Sequence, residues 1–295
     1  MREPTFIVAG GVATGTGSLT TLIKDHPQIY LPKVMRPECG FFYKEAEFKK
    51  GKKYYLQRWF SEVGDEIAIG ERSSLNLHGY FNNVAQRTHA LYPDIKLIFC
   101  LRNPTERAWG NYRFTALCGL ETLSFAEALE QEEARINRAN GWMSEIRPHE
   151  YRKRGCYYDQ LESFYEHFPK EQILCIKSET LAQEPEKILY QVFNFLGVDT
   201  NFAPKSDEKN FSSPNVKNLN VQAVLRSILG RRIDEWTEEY REGQARSIGS
   251  KLLGYNLTRA KQPMLQDDRQ RLNDFYAPHN EKLSKFLGWD LSDWN

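Results

Sequence analysis

Glycines and hydroxyl side chains are concentrated in one short stretch near the start of the chain. An apolar run from Thr5 to Ala9 gives way to glycines interleaved with hydroxyl residues, and then to apolar residues at helical spacing. This order predicts a strand, a tight loop and a helix. Glycine lets backbone amides turn toward an anion, and the following helix directs its positive end at the same place. The cradle predicted here for a phosphate-like group contains Gly10, Gly11, Thr14, Gly15, Thr16, Gly17 and Ser18.

Two other interpretations of this stretch remain open. A plain tight turn between a strand and a helix has the same pattern. The phosphate loop of nucleoside triphosphatases, G-x-x-x-x-G-K-[ST], requires a lysine, and none follows Gly15 or Gly17. The rest of the chain must therefore decide what the stretch binds.

Two charged residues elsewhere are placed for anion chemistry. Glu38 sits between a pair of cations, Lys33 and Arg36, and an aromatic pair. Arg102 directly follows residues 95–101, which form the clearest buried strand of the sequence. Because ligands of parallel α/β sheets bind beyond the carboxyl ends of strands, Arg102 is predicted to border an anion site.

The elements that must position these residues alternate along the chain. Buried-type strands are predicted near residues 5–9, 66–70, 95–101 and 172–177. Helices are predicted at 54–63, 81–91, 125–143, 157–168, 185–196, 221–229, 245–253, 267–275 and 278–287. This alternation predicts an α/β protein with a central, mainly parallel sheet flanked by helices. No internal repeat or long linker interrupts it, so residues 1–295 are expected to form a single domain.

Composition restricts the partners. The 40 Lys and Arg residues against 39 Asp and Glu residues give a formal charge of +1, so no global field attracts nucleic acid or an anionic membrane. The five cysteines are widely spaced and form no C-x-x-C pair, which is typical of reduced thiols and does not indicate a metal site. The first strand begins near residue 5, and no apolar run approaches the ~20 residues of a membrane span. We therefore expect a cytoplasmic protein.

Several separated stretches together resemble one family. The chain is similar to the sulfotransferases that use 3′-phosphoadenosine 5′-phosphosulfate (PAPS), in the branch with heparan sulfate sulfotransferase domains and bacterial small-molecule sulfotransferases. The 5′-phosphosulfate loop G-x-x-K-[TG]-G-T-[TS]-x-L resembles residues 10–19, and R-[DN]-P-x-x-R-x-x-S-x-Y resembles residues 102–112. The patterns E-x-x-F-F, E-[KR]-[ST] and G-x-Y-x-x-x-L resemble residues 38–42, 71–73 and 155–161, and a terminal basic loop resembles residues 258–264.

The resemblance implies a P-loop-like sulfotransferase fold, PAPS as co-substrate, adenosine 3′,5′-bisphosphate as product, and no metal. It implies that Glu38 is the general base and that Arg72 stabilises the leaving phosphate. Arg102 would bind the 3′-phosphate, which distinguishes this donor from ATP. The residues implied to bind the donor are Val12, Ala13, Thr14, Gly15, Thr16, Gly17, Ser18, Arg102, Gly110, Tyr157, Arg259 and Lys261. The residues expected to border the acceptor are Glu38, Phe41, His149 and Asp159, and His149, next to Glu150, is also the alternative to Glu38 as base.

Two positions depart from the family pattern. The loop lysine is Ala13 here, and the serine that holds the 3′-phosphate is Gly110. Either change weakens donor binding or marks another donor, unless other residues compensate. Arg72, Lys33, Arg36 or a terminal basic residue would supply the charge, and Asn111 or the Gly110 amide would replace the hydroxyl. Arg107 is expected to pair with Glu106 or Glu121.

The acceptor is predicted from charge alone. A polyanionic glycan requires a basic groove, and the balanced composition favours a small neutral or cationic acceptor. A secondary metabolite is expected, with a guanidinium alkaloid such as saxitoxin as one example. The alternatives are a non-catalytic binder of adenosine bisphosphate and a P-loop nucleotide kinase, and the missing lysine counts against the kinase. The oligomeric state is not predicted.

Overall fold

In a computed structural model of the chain, the described residues are 1–33, 38–204, 214–229, 248–260 and 262–294. The strands are β1 (Phe6–Gly10), β2 (Ile29–Tyr30), β3 (Ala68–Arg72), β4 (Lys96–Leu101), β5 (Ile173–Lys177), β6 (Asn215–Val216) and β7 (Leu257–Thr258). The helices are α1 (Thr16–Ile23), α2 (Glu45–Phe48), α3 (Gly51–Trp59), α4 (Val84–Leu91), α5 (Pro104–Leu117), α6 (Phe125–Glu130), α7 (Glu132–Arg138), α8 (Trp142–Ile146), α9 (Tyr157–Tyr165), α10 (Ser178–Gln183), α11 (Pro185–Leu196), α12 (Leu219–Leu229), α13 (Ile248–Tyr255) and α14 (Gln266–Leu287).

The chain divides into two compact units, each assembled from three segments. The first unit comprises Met1–Asn103, Cys156–Phe211 and Glu281–Trp289. The second comprises Pro104–Gly155, Ser212–Asn280 and Asp290–Asn295. Both are therefore discontinuous in sequence, and the assignment of residues 1–295 to one domain stays a prediction.

A five-stranded sheet in the order β2-β3-β1-β4-β5 forms the centre of the first unit. Every neighbouring pair is parallel, which confirms the predicted α/β class. Strand β1 is buried along its whole length, as expected for a central strand covered on both faces. Because all five strands run in the same direction, β1, β3, β4 and β5 end at one edge of the sheet. Residues that follow these strands are brought together there.

Helices cover this sheet with apolar faces. Helix α11 has proline in its first turn and ends at Gly197, which has a φ of 76°. It buries five apolar residues, Ile188, Leu189, Val192, Phe193 and Leu196. These pack in one cluster with Phe6 and Val8 of β1 and with Leu19 and Ile23 of α1. Helix α1, which follows the glycine loop, is held by this core.

The second unit consists mainly of helices. It contains α5 to α8, α12, α13, most of α14 and the antiparallel pair β6–β7. A small apolar cluster joins Ala116 and Leu117 of α5 to Val216 and Leu257 of the strand pair. A capping box between Ser124 and Glu127 starts α6.

Three predicted elements differ from the structure. The region 125–143 forms three short helices instead of one. The helices predicted at 267–275 and 278–287 are one helix, α14, with Pro278 inside it. Proline removes one internal hydrogen bond at a cost of about 3 kcal/mol. Buried Tyr276 and Leu283 lie on either side of Pro278, and their burial offsets that cost.

Candidate functional site

The glycine loop joins β1 to α1 at the carboxyl edge of the sheet. Gly15 caps α1 with a φ of 88°, a left-handed conformation that glycine adopts without strain. The amides of Thr16, Gly17 and Ser18 lie in the first turn, where an α-helix offers no internal acceptor. These amides and the positive end of the helix are suited to binding an oxyanion.

Two residues that were predicted to bind the donor serve the loop itself. The Thr14 hydroxyl donates to the Gly11 carbonyl over 2.6 Å and accepts from the Gly11 amide over 2.9 Å, and Thr14 is fully buried. The Val12 amide donates to Nε2 of His78 over 3.1 Å. The implied role of the Thr14 hydroxyl in binding the donor is therefore wrong, and the Val12 amide is likewise occupied. Their bonds fix the curvature of the loop.

His78 is a residue of this site that the sequence interpretation missed. Its side chain is buried, and Nδ1 lies 2.6 Å from Oε1 of Gln160. Because Nε2 accepts from Val12, the ring proton is on Nδ1 and is donated to Gln160. His78 therefore connects the anion loop to α9 in a neutral form. A lone histidine 66 residues from its partner gives no sequence signal of this role.

Arg72, the last residue of β3, lies beside the start of α1. Its Nη1 is 3.4 Å from the hydroxyl of Thr20, and a Cβ added to Gly17 would lie 3.3 Å from the same nitrogen. A side chain at position 17 would thus press on the guanidinium. Glycine at this position allows a buried cation to approach the first turn of the helix.

Glu38 forms an ion pair with Arg72. Its Oε1 lies 3.1 Å from Nε of Arg72. The Ser74 amide donates to Oε2 over 2.7 Å, and the Ser74 hydroxyl donates to Oε1 over 2.9 Å. The Glu38 side chain is 20% exposed, whereas that of Arg72 is 6% exposed. A partly accessible carboxylate and a buried guanidinium therefore lie next to each other.

A second carboxyl group, Glu71, lies behind this pair. It is fully buried, accepts from the Ser73 hydroxyl over 2.8 Å, and is 3.4 Å from the Tyr55 hydroxyl. Burial raises the pKa of Glu71 from 4.5 to about 7, while the bond from Ser73 opposes this shift. The Ser73 hydroxyl also accepts from the Gly40 amide over 3.0 Å. The network holds the segment that follows Glu38.

The structure places Phe41 in the core. Its ring is 1% exposed and stacks on Tyr55 with centroids 4.3 Å apart. Its predicted contact with an acceptor is therefore wrong, because the surface of the ring is covered by other aromatic residues. The aromatic pair after Glu38 anchors the segment and leaves only Glu38 toward solvent.

Arg102 follows β4 at the same edge of the sheet. Its Nη1 lies 3.4 Å from the carbonyl of Ala13 in the glycine loop. The Tyr157 hydroxyl donates to the Arg102 carbonyl over 2.8 Å and accepts from the Arg102 amide over 3.4 Å. Tyr157 is 1% exposed, so it positions Arg102 and has almost no surface for the donor. This corrects the prediction that Tyr157 binds the donor directly.

Two residues after β5 were missed: Ser178 supports the glycine loop, and Glu179 supports the residue that follows Arg102. The Ser178 hydroxyl donates to the Thr14 carbonyl, and Oε1 of Glu179 accepts from the Asn103 amide over 2.8 Å. Both lie at the start of α10, which follows β5 at the carboxyl edge of the sheet. The sequence distance of 164 residues between Ser178 and Thr14 concealed their contact.

In the second unit, neither expected substitute for the missing serine is free to act. Gly110 lies in the middle of α5, where the helix itself uses the backbone amide. Asn111 is buried; its Oδ1 accepts from Arg107 over 3.1 Å and from Arg154 over 3.0 Å. Both compensations proposed for Gly110 are therefore wrong. The predicted pairing of Arg107 is wrong as well, because Arg107 also donates to the Tyr151 carbonyl.

The remaining predicted residues are spread over both units. His149 Nε2 is 2.9 Å from the Leu120 carbonyl, and burial lowers the pKa of His149 while that bond opposes the shift. Arg259 is exposed after β7. Asp159 is exposed in the first turn of α9. Lys261 and Arg36 lie outside the described residues.

The first unit therefore brings together the predicted loop, Glu38, Arg72 and Arg102 at one edge of the sheet. Among the described residues, no group of three or more His, Cys, Asp or Glu side chains is arranged to hold a metal ion. In the same part of the chain, no helix is both long and apolar enough to span a membrane. The arrangement is suited to binding an oxyanion and to moving a proton at a neighbouring carboxylate.

A parallel α/β sheet with an anion loop after its central strand, two arginines and a carboxylate defines a class of group-transfer proteins that bind a phosphorylated donor. Residues 84–286, well over half of the chain, match the family model described as the sulfotransferase domain. The chain belongs to this sulfotransferase family.

Similar proteins support this assignment. A sulfotransferase from Alicyclobacillus acidocaldarius is 27% identical, with a TM-score of 0.72 over 100% of this chain and 99% of that one. The human bifunctional heparan sulfate N-deacetylase/N-sulfotransferase 3 is 26% identical over 99% of this chain, which spans 31% of that protein. The mouse heparan sulfate glucosamine 3-O-sulfotransferase 3B1 is 24% identical over 98% of this chain and 64% of that protein. The chain thus spans about a third of the first curated relative.

Proposed function

We propose that the protein transfers the sulfuryl group of PAPS to a hydroxyl or to an amine or guanidinium nitrogen of a small-molecule acceptor, with Glu38 as the general base. The observation that carries this proposal is the Glu38–Arg72 ion pair beside the first turn of α1. It combines a proton acceptor, a buried cation and helix amides within the first unit.

Each residue has a defined task in this proposal. The amides of Thr16, Gly17 and Ser18 bind the 5′-phosphate, and Arg102 binds the 3′-phosphate. Glu38 takes the proton from the acceptor as its oxygen or nitrogen forms a bond to sulfur. Arg72 offsets the negative charge that develops on the bridging oxygen as the bond from that oxygen to sulfur breaks. When bound, PAPS supplies the sulfuryl group and leaves as adenosine 3′,5′-bisphosphate.

The fit of the donor rests on fewer contacts than the family pattern implies. Ala13 and Gly110 contribute no side-chain donor, and Asn111 is occupied elsewhere. Two cations lie close to the loop and the helix that follows it: Nη1 of Arg72 is 3.4 Å from the Thr20 hydroxyl, and Nη1 of Arg102 is 3.4 Å from the Ala13 carbonyl. Arg259 remains a proposed contact for the donor. These residues suffice for an anion with two phosphate groups, because each arginine presents a fork of donors.

The acceptor is proposed to be small and neutral or cationic. The names of the human and mouse relatives above refer to heparan sulfate, whereas this chain has 40 basic and 39 acidic residues and no surplus of basic charge for a polyanion. A secondary metabolite such as a guanidinium alkaloid, for example saxitoxin, would place its cation near Glu38. We also propose a reducing, cytoplasmic location, which the free thiols of all five cysteines support.

A non-catalytic binder of adenosine bisphosphate is the second candidate. It is favoured by the contacts of Glu38, whose oxygens are held by Arg72 and Ser74. In that case Glu38 would only orient Arg72. Turnover separates the two candidates, because both predict binding of the bisphosphate and only the first predicts transfer.

The test has two parts. Calorimetric titration with adenosine 3′,5′-bisphosphate, with ATP and magnesium as comparator, measures donor recognition. Transfer from sulfur-labelled PAPS to a panel of small alcohols, amines and guanidines, with N-desulfated heparan sulfate alongside, measures the acceptor class. We expect binding of the bisphosphate in preference to ATP, and labelling of a small acceptor. Labelling of the glycan alone would overturn the acceptor proposal, and binding without any transfer would favour the second candidate.

A further inference from the structure

The second unit contains a pocket of about 360 Å³ that the proposed function does not use. Its aromatic wall is formed by Trp109 and Tyr112 of α5, whose rings are 5.4 Å apart at 15°, and by Phe125 of α6, which meets Trp109 edge-on at 5.0 Å. Trp109 is only partly buried. A ligand in the pocket would therefore contact the rings of this wall.

One carboxylate lines the same pocket. Asp268, in the first turn of α14, is 4% exposed. Within the described ranges it has neither a hydrogen bond nor an ion pair. Burial raises the pKa of Asp268, the charge of Arg271 opposes this shift, and Asp267 and Glu130 add to it. Burying a carboxylate that lacks a partner costs free energy in a folded protein. A ligand that forms an ion pair with it would offset this cost, which favours binding.

The cation in the pocket lining is already engaged. Nε of Arg113 donates to Oδ1 of Asn215 over 2.5 Å, and Nδ2 of Asn215 donates to the Ala260 carbonyl over 2.7 Å. Arg113 is thereby tied to the strand pair β6–β7. Within the described residues, Asp268 is the charged side chain of the lining that has no hydrogen bond or ion pair.

We propose that this pocket binds a small organic monocation with a flat apolar body, with the ring system against Trp109, Tyr112 and Phe125 and the charged nitrogen at Asp268. The faces of aromatic rings bind both cationic groups and the apolar surface of a flat ligand. An ammonium or amidinium group forms a strong hydrogen bond to a carboxylate. A volume of about 360 Å³ is near the lower end for ligand pockets, so the body contains one or two rings.

Among the described residues, none of those assigned above to PAPS lines the pocket, although Gln262 and Pro263 of the lining belong to the terminal loop at residues 258–264. The proposal goes beyond sulfuryl transfer and does not rest on it, because it is tested by binding in the absence of PAPS. Failure of one proposal therefore leaves the other intact.

The probes are two organic cations and their neutral counterparts. Tryptamine and benzamidine are titrated into the full chain by calorimetry, with tryptophol and benzamide as neutral molecules of the same shape. We expect at least one cation to bind about tenfold or more tightly than its neutral counterpart. Equal affinities within both pairs, or no binding of any probe, would overturn the proposal.

Matched variants identify the carboxylate. Asp268→Asn is nearly isosteric and should abolish the preference for the cation, while Asp267→Asn removes the same charge from the exposed neighbouring residue and should retain it. Asp268→Asn should also raise the Tm of the unliganded protein, because it removes a buried charge that has no hydrogen bond or ion pair within the described residues. An equal loss of preference in both variants would contradict a specific role of Asp268. If Asp268→Asn fails to fold, the comparison of cation and neutral probe in the wild-type protein still decides.

Discussion

The backbone amide of Val12 donates to Nε2 of His78 across 3.1 Å, so an imidazole ring that was absent from the family motifs supports the anion loop. The ring is held in turn by Gln160 of α9. Because the lysine of the family loop is Ala13 here, correct placement of the backbone amides matters more for donor binding. We therefore expect His78 to position the loop for donor binding.

The first prediction concerns the acceptor nitrogen of His78. His78→Asn keeps a group able to donate to Gln160 but leaves the Val12 amide without an acceptor, and we expect the KM for PAPS to rise about tenfold. His78→Gln can place an amide oxygen near the former position of Nε2 and should restore the KM to within about threefold. Steady-state kinetics measure this, with kcat changing little in both variants.

A purely structural role of His78 would give another pattern. Asn and Gln would then lower the Tm by similar amounts and leave the KM for PAPS unchanged. Equal KM values in these two variants would thus rule out loop positioning by Nε2.

Glu38 is tested by removing its charge while keeping its shape. Glu38→Gln retains an oxygen for the hydrogen bonds from Ser74, but its amide cannot take up the proton that the hydroxyl or amine of the acceptor molecule loses. We expect kcat to fall by about 10²- to 10⁴-fold and the affinity for adenosine 3′,5′-bisphosphate to change less than about threefold. Transfer kinetics and calorimetry measure the two effects.

The matched control is Glu62→Gln, which removes an exposed carboxylate that pairs with Lys33. It should leave kcat unchanged. If Glu38→Gln kept full turnover and only lowered the Tm, Glu38 would be a structural partner of Arg72.

Arg102 is expected to recognise the 3′-phosphate. Arg102→Ala should weaken the binding of adenosine 3′,5′-bisphosphate by about 10- to 100-fold and the binding of AMP by much less. The reason is that the charge-assisted hydrogen bond to the 3′-phosphate is lost only with the first ligand. Tyr157→Phe removes the hydroxyl that holds the Arg102 backbone. It should likewise weaken the binding of the bisphosphate more than that of AMP, but by a smaller factor. Calorimetric titration with both nucleotides measures these losses.

The neighbouring Tyr158 supplies the control, because its hydroxyl donates to Glu162 on the same helix. Tyr158→Phe should bind both nucleotides like the wild type. Equal losses for the bisphosphate and AMP in Arg102→Ala would refute the role in 3′-phosphate recognition.

Local patterns predicted the frame of the donor site. The strand, glycine loop and helix follow one another in sequence, and the strand before Arg102 is a continuous apolar run. Both features can be read from the sequence because hydrophobic periodicity and glycine content are local properties of a few consecutive residues. The parallel sheet followed from the alternation of such segments.

Long-range contacts determined what the sequence did not predict. Val12 meets His78 and Thr14 meets Ser178 only after the strands assemble. Burial likewise assigned Phe41 to the core and Asn111 to an internal network, although both residue types also occur at binding sites. Motif position alone does not distinguish a side chain that contacts a ligand from one that supports its neighbour.

Glu71 provides a prediction for stability against pH. Burial raises the pKa of Glu71 to about 7 in the folded protein, against 4.5 when unperturbed. Its contribution to stability is fully present below pH 4.5 and is lost as the pH rises through 7, because the folded state must then hold a buried charge. The shift corresponds to about 3 kcal/mol of unfolding free energy.

The glutamine in Glu71→Gln cannot ionise and still accepts from Ser73. The free energy of unfolding of this variant should therefore not fall as the pH rises through 7. Urea unfolding at pH 5, 6, 7 and 8 measures the slope, which we expect to be flatter than in the wild type by about 2 to 3 kcal/mol over the range. The exposed carboxylate variant Glu62→Gln should keep the wild-type slope. A wild-type slope in Glu71→Gln as well would mean that the buried carboxyl group does not titrate between pH 5 and 8.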